Sequence, residues 1–356
     1  MTTRIVMLGG DGIGPEVAAG ARAVLAAAAK RFSFPIEFDE ALIGGAAIDA
    51  TGVALPPATL AKCRTADAVF LGAVGGPKWS DPKAAERPEL GLLALRAELG
   101  VFANLRPVAP LPAIRDASPI KPERLEGVDL MVVRELTGGM YFGEKIESDD
   151  AARDICDYTR DEVVRVTRVA GDLARKRRGK VTSVDKANVL ATSRLWRNTV
   201  SQVMAEEYPD VMLEHILVDA AAMYLLQKPA DFDVLLTENL FGDILTDEAS
   251  VLAGSMGLLP SASVGEGKAS LYEPIHGSAP DIAGRGIANP YGAMLSAAML
   301  LRHALGREEA AVAVEQSVES CIAQGVLTSD LVPDGGAAMS TAEVIDHVER
   351  VIANGQ

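Results

Sequence analysis

Two carboxylates four residues apart carry the first chemical possibility. Asp243 and Asp247 lie in Thr237-Glu238-Asn239-Leu240-Phe241-Gly242-Asp243-Ile244-Leu245-Thr246-Asp247-Glu248. On a helix that spacing puts both on one face. Two carboxylates there repel unless a cation lies between them, and Mg²⁺ or Mn²⁺ prefers oxygen ligands. The alternative is an N-cap aspartate followed by a solvated one. Either way, Gly242 is expected to make a tight turn from which Asp243 opens a helix. A second possibility sits near the start, where Gly9-Gly10-Asp11-Gly12-Ile13-Gly14-Pro15-Glu16 follows a short apolar run. Its glycines would let a ligand approach the backbone, or would simply make a tight turn. A dinucleotide-binding GxGxxG would need glycine at position 15, where Pro15 stands, so the loop does not read as a Rossmann fingerprint.

These loops need elements to position them. Strand-like runs are expected at 4–8, 66–73, 101–107, 129–135, 180–184, 211–218, 232–236, 262–266 and 269–273. Helices are expected at 17–30, 157–178, 193–208, 308–324 and 340–353, with others starting near 87 and 289. The alternation predicts an α/β architecture, and polar loops repeatedly follow strands. One such loop presents Tyr141 between glycines; another carries Lys186 at a strand end; a third delivers Asp219 into a helix. The proline-rich segment 107–122 reads as a crossing between domains or a surface connection, and 147–154 as an exposed acidic stretch.

The 356 residues point to about two domains, and 49% hydrophobic content is ample for their cores. The formal net charge of −15, with a pI near 4.8, argues against nucleic acid and anionic membranes as partners. Such a chain binds a small anion only by gathering arginines locally. Cys63, Cys156 and Cys321 form no CxxC pair, so a reduced, cytoplasmic chain is expected. The first residues lack the pattern of a signal peptide. The longest apolar run, 293–301, contains Ser296 and is too short to span a bilayer.

With its loops placed, the chain resembles the isocitrate/isopropylmalate dehydrogenase family of β-decarboxylating dehydrogenases. The matching motifs are GGDGIGPE, RPELGLLALR, FANLRPV, VVRELTGGMYFG, SVDKANVL, LVDAAAM, TENLFGDILTDEAS and EPIHGSAPDIAGRGIANP, in that order. The resemblance implies a two-domain α/β fold distinct from the Rossmann fold. It places a discontinuous cofactor-binding domain at 1–101 and 256–356, and a central domain with the dimer contacts at 102–255. It further implies a homodimer whose active sites lie between domains and are completed by the neighbouring subunit.

The implied reaction is NAD⁺-dependent oxidation of a 2-hydroxy acid followed by loss of CO₂. Asp219, Asp243 and Asp247 match the family's Mg²⁺ or Mn²⁺ ligands, with Asp219 also close to substrate. Lys186 matches the base for the C2 hydroxyl; Asp219 and Lys186 serve the neighbouring subunit's site. Tyr141 matches the group that helps protonate the enol carbon. Arg96, Arg106 and Arg134 match the substrate carboxylate clamp, which bidentate guanidinium pairing suits. Glu89, Leu92 and Leu93 match the positions that distinguish substrates, with Val189 a further pocket position. The two leucines would pack on an isopropyl group and make a third carboxylate costly to bury. That favours 3-isopropylmalate over isocitrate, with D-malate, tartrate and homoisocitrate as alternatives within the family and a catalytically silent relative as the alternative outside catalysis. Ile13 and the loop residues His276, Gly277, Ser278, Ala279, Asp281, Ile282 and Asn289 match the cofactor site. Asp281 can accept from a ribose 2′-hydroxyl and would repel a 2′-phosphate, which favours NAD⁺ over NADP⁺.

Overall fold

The computed structural model describes residues 2–81, 84–267, 269–332 and 336–355. The chain divides into two compact units: Met1–Val101, Leu111–Ala117 and Gly254–Gln356; and Phe102–Pro110 with Ser118–Ala253. The strands among the described residues are β1 (Thr3–Gly10), β2 (Ile36–Ala41), β3 (Ala68–Ala73), β4 (Val101–Val108), β5 (Leu130–Glu135), β6 (Lys145–Glu147), β7 (Ala152–Asp154), β8 (Lys180–Asp185), β9 (Met212–Leu217), β10 (Val234–Thr237), β11 (Pro260–Gly265) and β12 (Leu271–Pro274). Helices alternate with them through most of the chain, giving a mixed α/β fold with mainly parallel pairing.

In the first unit the strand order is β2-β1-β3-β12-β11. β1 pairs parallel with β2 and β3, and β12 runs parallel to β3 and antiparallel to β11. Every residue of β3 is buried, as expected of a parallel strand covered on both faces. The helix Gly14–Arg31 buries Ala18, Ala21, Ala28 and Ala29, whose small side chains let the helix lie close to its neighbours. Pro15 sits in its first turn, where no backbone donor is lost. The apolar run 293–301 lies inside the buried helix Tyr291–His303. No helix among the described residues is long and apolar enough to cross a membrane.

In the second unit the order is β4-β5-β10-β8-β9. β4 and β5 are antiparallel, and β5, β10, β8 and β9 run parallel. The helix Arg160–Lys176 starts with a capping box between Thr159 and Glu162. Two of its arginines are solvated ion-pair partners, Arg168 with Glu207 and Arg175 with Asp210.

Several local expectations change. β2 and the helices Gly45–Thr51 and Pro57–Thr65 were not legible in the sequence. β2 is an edge strand that mixes charged and apolar residues, so it lacks the continuous apolar run of β3. The segment 107–122 is not an extended connection: it folds into helical turns at Pro112–Ala117 and Pro122–Leu125. Residues 111–117 group with the first unit, where Ile114 is buried. The acidic stretch near 147–154 forms an exposed hairpin of β6 and β7.

Candidate active site

The second unit carries a compact side-chain cluster. β10 ends at Thr237 and leads almost directly into the helix Asn239–Ala253. Asp243 therefore lies in the second turn and does not open the helix. Gly242 is helical too and makes no turn. A Cβ there would fall 2.3 Å from Thr237 Oγ1 and 2.6 Å from Arg134 Cγ, so glycine is needed for close packing against Arg134. The expected helix opening is supplied instead by Glu238, whose carboxylate accepts from the backbone N–H groups of Leu240 at 3.2 Å and Phe241 at 2.6 Å. Burial holds the Glu238 carboxyl above its ordinary range.

Asp243 is bound on both oxygens. Arg134 Nη1 donates to Oδ1 in an ion pair, and the Tyr141 hydroxyl donates to Oδ2 at 2.6 Å. The Arg134 guanidinium also lies 5.7 Å from the Tyr141 ring centroid, within cation–π range. Burial first, and then the Asp243 carboxylate, push the Tyr141 phenol up to about 12. At neutral pH it is a proton donor. Arg106 Nη1 lies 3.9 Å from Asp247 and donates to Thr246 Oγ1 at 2.8 Å, while its Nε donates to Asn104 at 2.7 Å. The antiparallel register sets Asn104 opposite Arg134, so Asn104, Arg106 and Arg134 share one face of the sheet.

Lys186 and Asp219 form a separate pair. Lys186 follows β8, and its Nζ donates to Asp219 Oδ1 at 2.7 Å. This contact is the first cause of a lowered Asp219 pKa. Asp219 lies in the first turn of the helix Val218–Gln227, whose N-cap is Leu217. Val189 lies one short turn beyond Lys186 and is exposed. Among the described residues no three His, Cys, Asp or Glu side chains gather as a metal cluster within one chain. Asp243 and Asp247 share one helix face, and both are solvent-accessible carboxylates. Such donors fit a hard divalent ion.

The first unit carries a loop site made mainly of backbone. Ile13 N–H donates to Ser278 O at 2.9 Å, which brings the glycine loop onto the 276–282 segment. Gly12 has φ +58, and a Cβ there would lie 2.0 Å from Ser278 O. Gly277 faces open space, and Ala279 takes a strained φ of 39. The loop is tied down by Gly284 N–H, which donates to Glu16 at 2.7 Å. His276 is half-buried: its Nδ1 meets Gly277 O at 2.9 Å, and its buried Nε2 has no partner. Burial lowers its pKa, so the ring is neutral at pH 7. Since Nδ1 faces a carbonyl it carries the proton, and Nε2 is left as an acceptor for a ligand donor. Asp281 is exposed, Ile282 N–H donates to Ala279 O, and Asn289 donates to Asp330 at 2.9 Å. An unpartnered buried acceptor beside an open glycine fits an adenosine-bearing cofactor.

On the helix Pro88–Leu99 of the same unit, Glu89 is exposed, while Leu92 and Leu93 are half-buried. Leu92 packs partly on a core cluster that includes Leu95 and Leu99. Arg96, expected in the carboxylate clamp, donates to Glu273 at 2.7 Å and is already held by a carboxylate.

Residues 4–348 match the profile of the isocitrate/isopropylmalate dehydrogenases. A 3-isopropylmalate dehydrogenase of Anaeromyxobacter dehalogenans is 57% identical, covering 99% of this chain and 100% of its own. One from Priestia megaterium is 54% identical, covering 99% and 97%. The crystal structure of an isocitrate dehydrogenase from Methylococcus capsulatus superposes with a TM-score of 0.87 at 36% identity, over 99% of this chain and 100% of that one. The chain belongs to the isocitrate/isopropylmalate dehydrogenase family. It is thus a β-decarboxylating dehydrogenase by family, and its fold is that of these structural relatives.

Membership in this dehydrogenase family does not account for every buried polar group. Asp11 was read only as part of a glycine loop. Its buried carboxylate accepts from the backbone N–H groups of Gly45 at 2.8 Å, Ala46 at 2.7 Å and Gly75 at 2.8 Å. It thereby ties together the loops at the ends of three parallel strands, β1, β2 and β3. Glu135, Tyr158, Glu238 and Asn239 were also missed. The available signal for Asp11 was an acid flanked by glycines on both sides, where bare backbone invites capping. No comparable signal marked the others.

Proposed function

We propose that this chain oxidises (2R,3S)-3-isopropylmalate with NAD⁺ to 4-methyl-2-oxopentanoate, CO₂ and NADH, a step of leucine biosynthesis in the cytoplasm. The observation that carries the chemistry is the Tyr141 hydroxyl donated to an Asp243 carboxylate that Arg134 already holds. Near full-length relatives named 3-isopropylmalate dehydrogenase support the substrate.

Lys186 serves as the base toward the C2 hydroxyl. Arg96, Arg106 and Arg134 receive the substrate carboxylates, and Leu92, Leu93 and Val189 line the alkyl side, with Glu89 beside the nicotinamide. When the C–CO₂ bond breaks, its electron pair forms the enol, and Tyr141 delivers a proton to the former C3 carbon. A phenol raised to about 12 holds that proton until it is needed. Asp243, Asp247 and an Asp219 contributed by a second copy would hold Mg²⁺ or Mn²⁺, which would supply Lewis acidity to the reaction. Ile13, His276, Gly277, Ser278, Ala279, Asp281, Ile282 and Asn289 would hold NAD⁺, which would supply the hydride acceptor. The exposed Asp281 carboxylate would repel a 2′-phosphate.

The homodimer is supported by apolar side chains left at the surface of two helices: Met223 and Leu226 on Val218–Gln227, and Ile244 on Asn239–Ala253. Exposed apolar groups of this size favour burial against a second copy. The test is stoichiometry. With 3-isopropylmalate, NAD⁺ and Mg²⁺, NADH, CO₂ and the 2-oxo acid should appear one for one, with NAD⁺ preferred over NADP⁺. NADH without CO₂ would exclude decarboxylation, and an NADP⁺ preference would remove Asp281 from cofactor selection.

A further inference from the structure

Arg134, the turn at 138–141 and the helix bearing Asp243 meet at one buried side chain. Asn239 is 1% exposed. Its Oδ1 accepts from Arg134 Nε at 3.2 Å and Nη2 at 2.8 Å. Its Nδ2 donates to the Gly138 carbonyl at 3.2 Å. Its backbone N–H donates to the Tyr158 hydroxyl at 3.0 Å, and that hydroxyl lies 3.3 Å from Glu135 Oε2 and 3.4 Å from Glu238 Oε2. Glu135, fully buried, accepts from the backbone N–H groups of Thr137 at 2.9 Å and Gly138 at 2.8 Å. The turn carrying Tyr141 and the guanidinium of Arg134 are thus fixed to one amide. Its orientation is settled by its neighbours, two donors on one side and a carbonyl on the other.

We propose that Asn239 is a positioning residue for substrate binding that acts through Arg134. This rests on the reading that Arg134 receives a substrate carboxylate. A guanidinium presents its donors in one rigid plane, so accepting along the Nε–Nη2 edge sets that plane. Asp243 already sits at Nη1. A second carboxylate on the other edge would hold the plane equally well but, added to Asp243, would leave the group net negative toward a dianionic substrate. A neutral amide oxygen fixes the orientation and adds no negative charge.

The test is steady-state kinetics on Asn239→Ala, Asn239→Asp, Arg134→Ala and the Asn239→Ala/Arg134→Ala double variant. Asn239→Ala frees the guanidinium and should raise the substrate KM about tenfold, the size of one lost hydrogen bond to a charged group. Asn239→Asp is isosteric and keeps the fold, yet should also raise substrate KM by a similar factor. The NAD⁺ KM should stay within about twofold in both, because the 276–289 loop shares no residue with this network. In the Arg134→Ala background, Asn239→Ala should add almost nothing, as expected of residues acting through one another. A folded Asn239→Asp enzyme with unchanged substrate KM overturns the proposal, as does a double variant showing the full product of the two single defects. Unchanged substrate KM in Arg134→Ala itself instead removes Arg134 from the substrate site, and with it the reading beneath the proposal.

Discussion

The two units build their sites from different materials. In the first, the candidate site is held in backbone: Ile13 N–H on Ser278 O and Gly12 pressed against the same carbonyl, with three main-chain N–H groups gathered on Asp11 nearby in the chain. In the second, it is laid out in ionised side chains: Arg134 on Asp243, Arg106 beside Asp247, and Lys186 on Asp219. Backbone sites are sensitive to an added Cβ and indifferent to most changes of charge. Side-chain sites are sensitive to a lost charge or hydroxyl and tolerate much of the rest. Substitutions in the two units should therefore fail in different ways.

The largest effects belong to the side-chain site. Lys186→Ala and Tyr141→Phe should each lower turnover by roughly 10²–10⁴, the usual range for an acid–base group, with melting temperature little changed. Near wild-type turnover in either variant would take that residue out of the mechanism. Next comes the backbone site. Gly12→Ala puts a side chain at φ +58 and 2.0 Å from Ser278 O, which should cost about 1–3 kcal/mol in strain. It should lower the melting temperature and raise the NAD⁺ KM more than the substrate KM; the reverse order would erase the contrast between the units.

Asp11→Asn is a milder probe of the same backbone. The amide keeps the shape but turns a donor toward main-chain donors, so about 1–3 kcal/mol of stability should be lost. Guanidinium denaturation reads it, and a midpoint equal to wild type would show that the three loops hold without Asp11. The smallest effect is alkaline. Tyr141 ionises near 12 in the folded chain and near 10 when unfolded. Its stabilising contribution is thus complete below pH 10 and lost as pH rises toward 12. Tyr208, raised to about 12 by burial and its bond to Asp172, behaves alike and remains in both proteins. Wild type and Tyr141→Phe should therefore diverge in their pH dependence only between pH 10 and 12. A different slope at pH 7–9 would contradict the assigned shift.

The sequence disclosed the α/β alternation because β3, the first four residues of β5 and the first three of β10 are short apolar runs of the kind that strands buried on both faces carry. It hid β2, an edge strand with three acidic residues, for the converse reason. Asp243 and Asp247 were legible from spacing alone, since four residues make one helix face. Their helix start was not, because Gly242 looks the same in a sequence whether it makes a turn or makes room for Arg134. The roles of Tyr141, Lys186 and the arginines came through the family resemblance. Asn239 could not be read at all: its importance lies in partners 105 and 101 positions away.

One assay bears most directly on the proposed activity. NADH production with Mg²⁺ should be measured across 3-isopropylmalate, D-malate, tartrate, isocitrate and homoisocitrate. On the proposed reading that Leu92 and Leu93 face an isopropyl group, kcat/KM should be highest on 3-isopropylmalate, since a further carboxylate or hydroxyl is costly to bury against them and D-malate lacks the alkyl group. A higher kcat/KM on any of the other four acids would contradict the assignment of substrate while leaving the family membership intact.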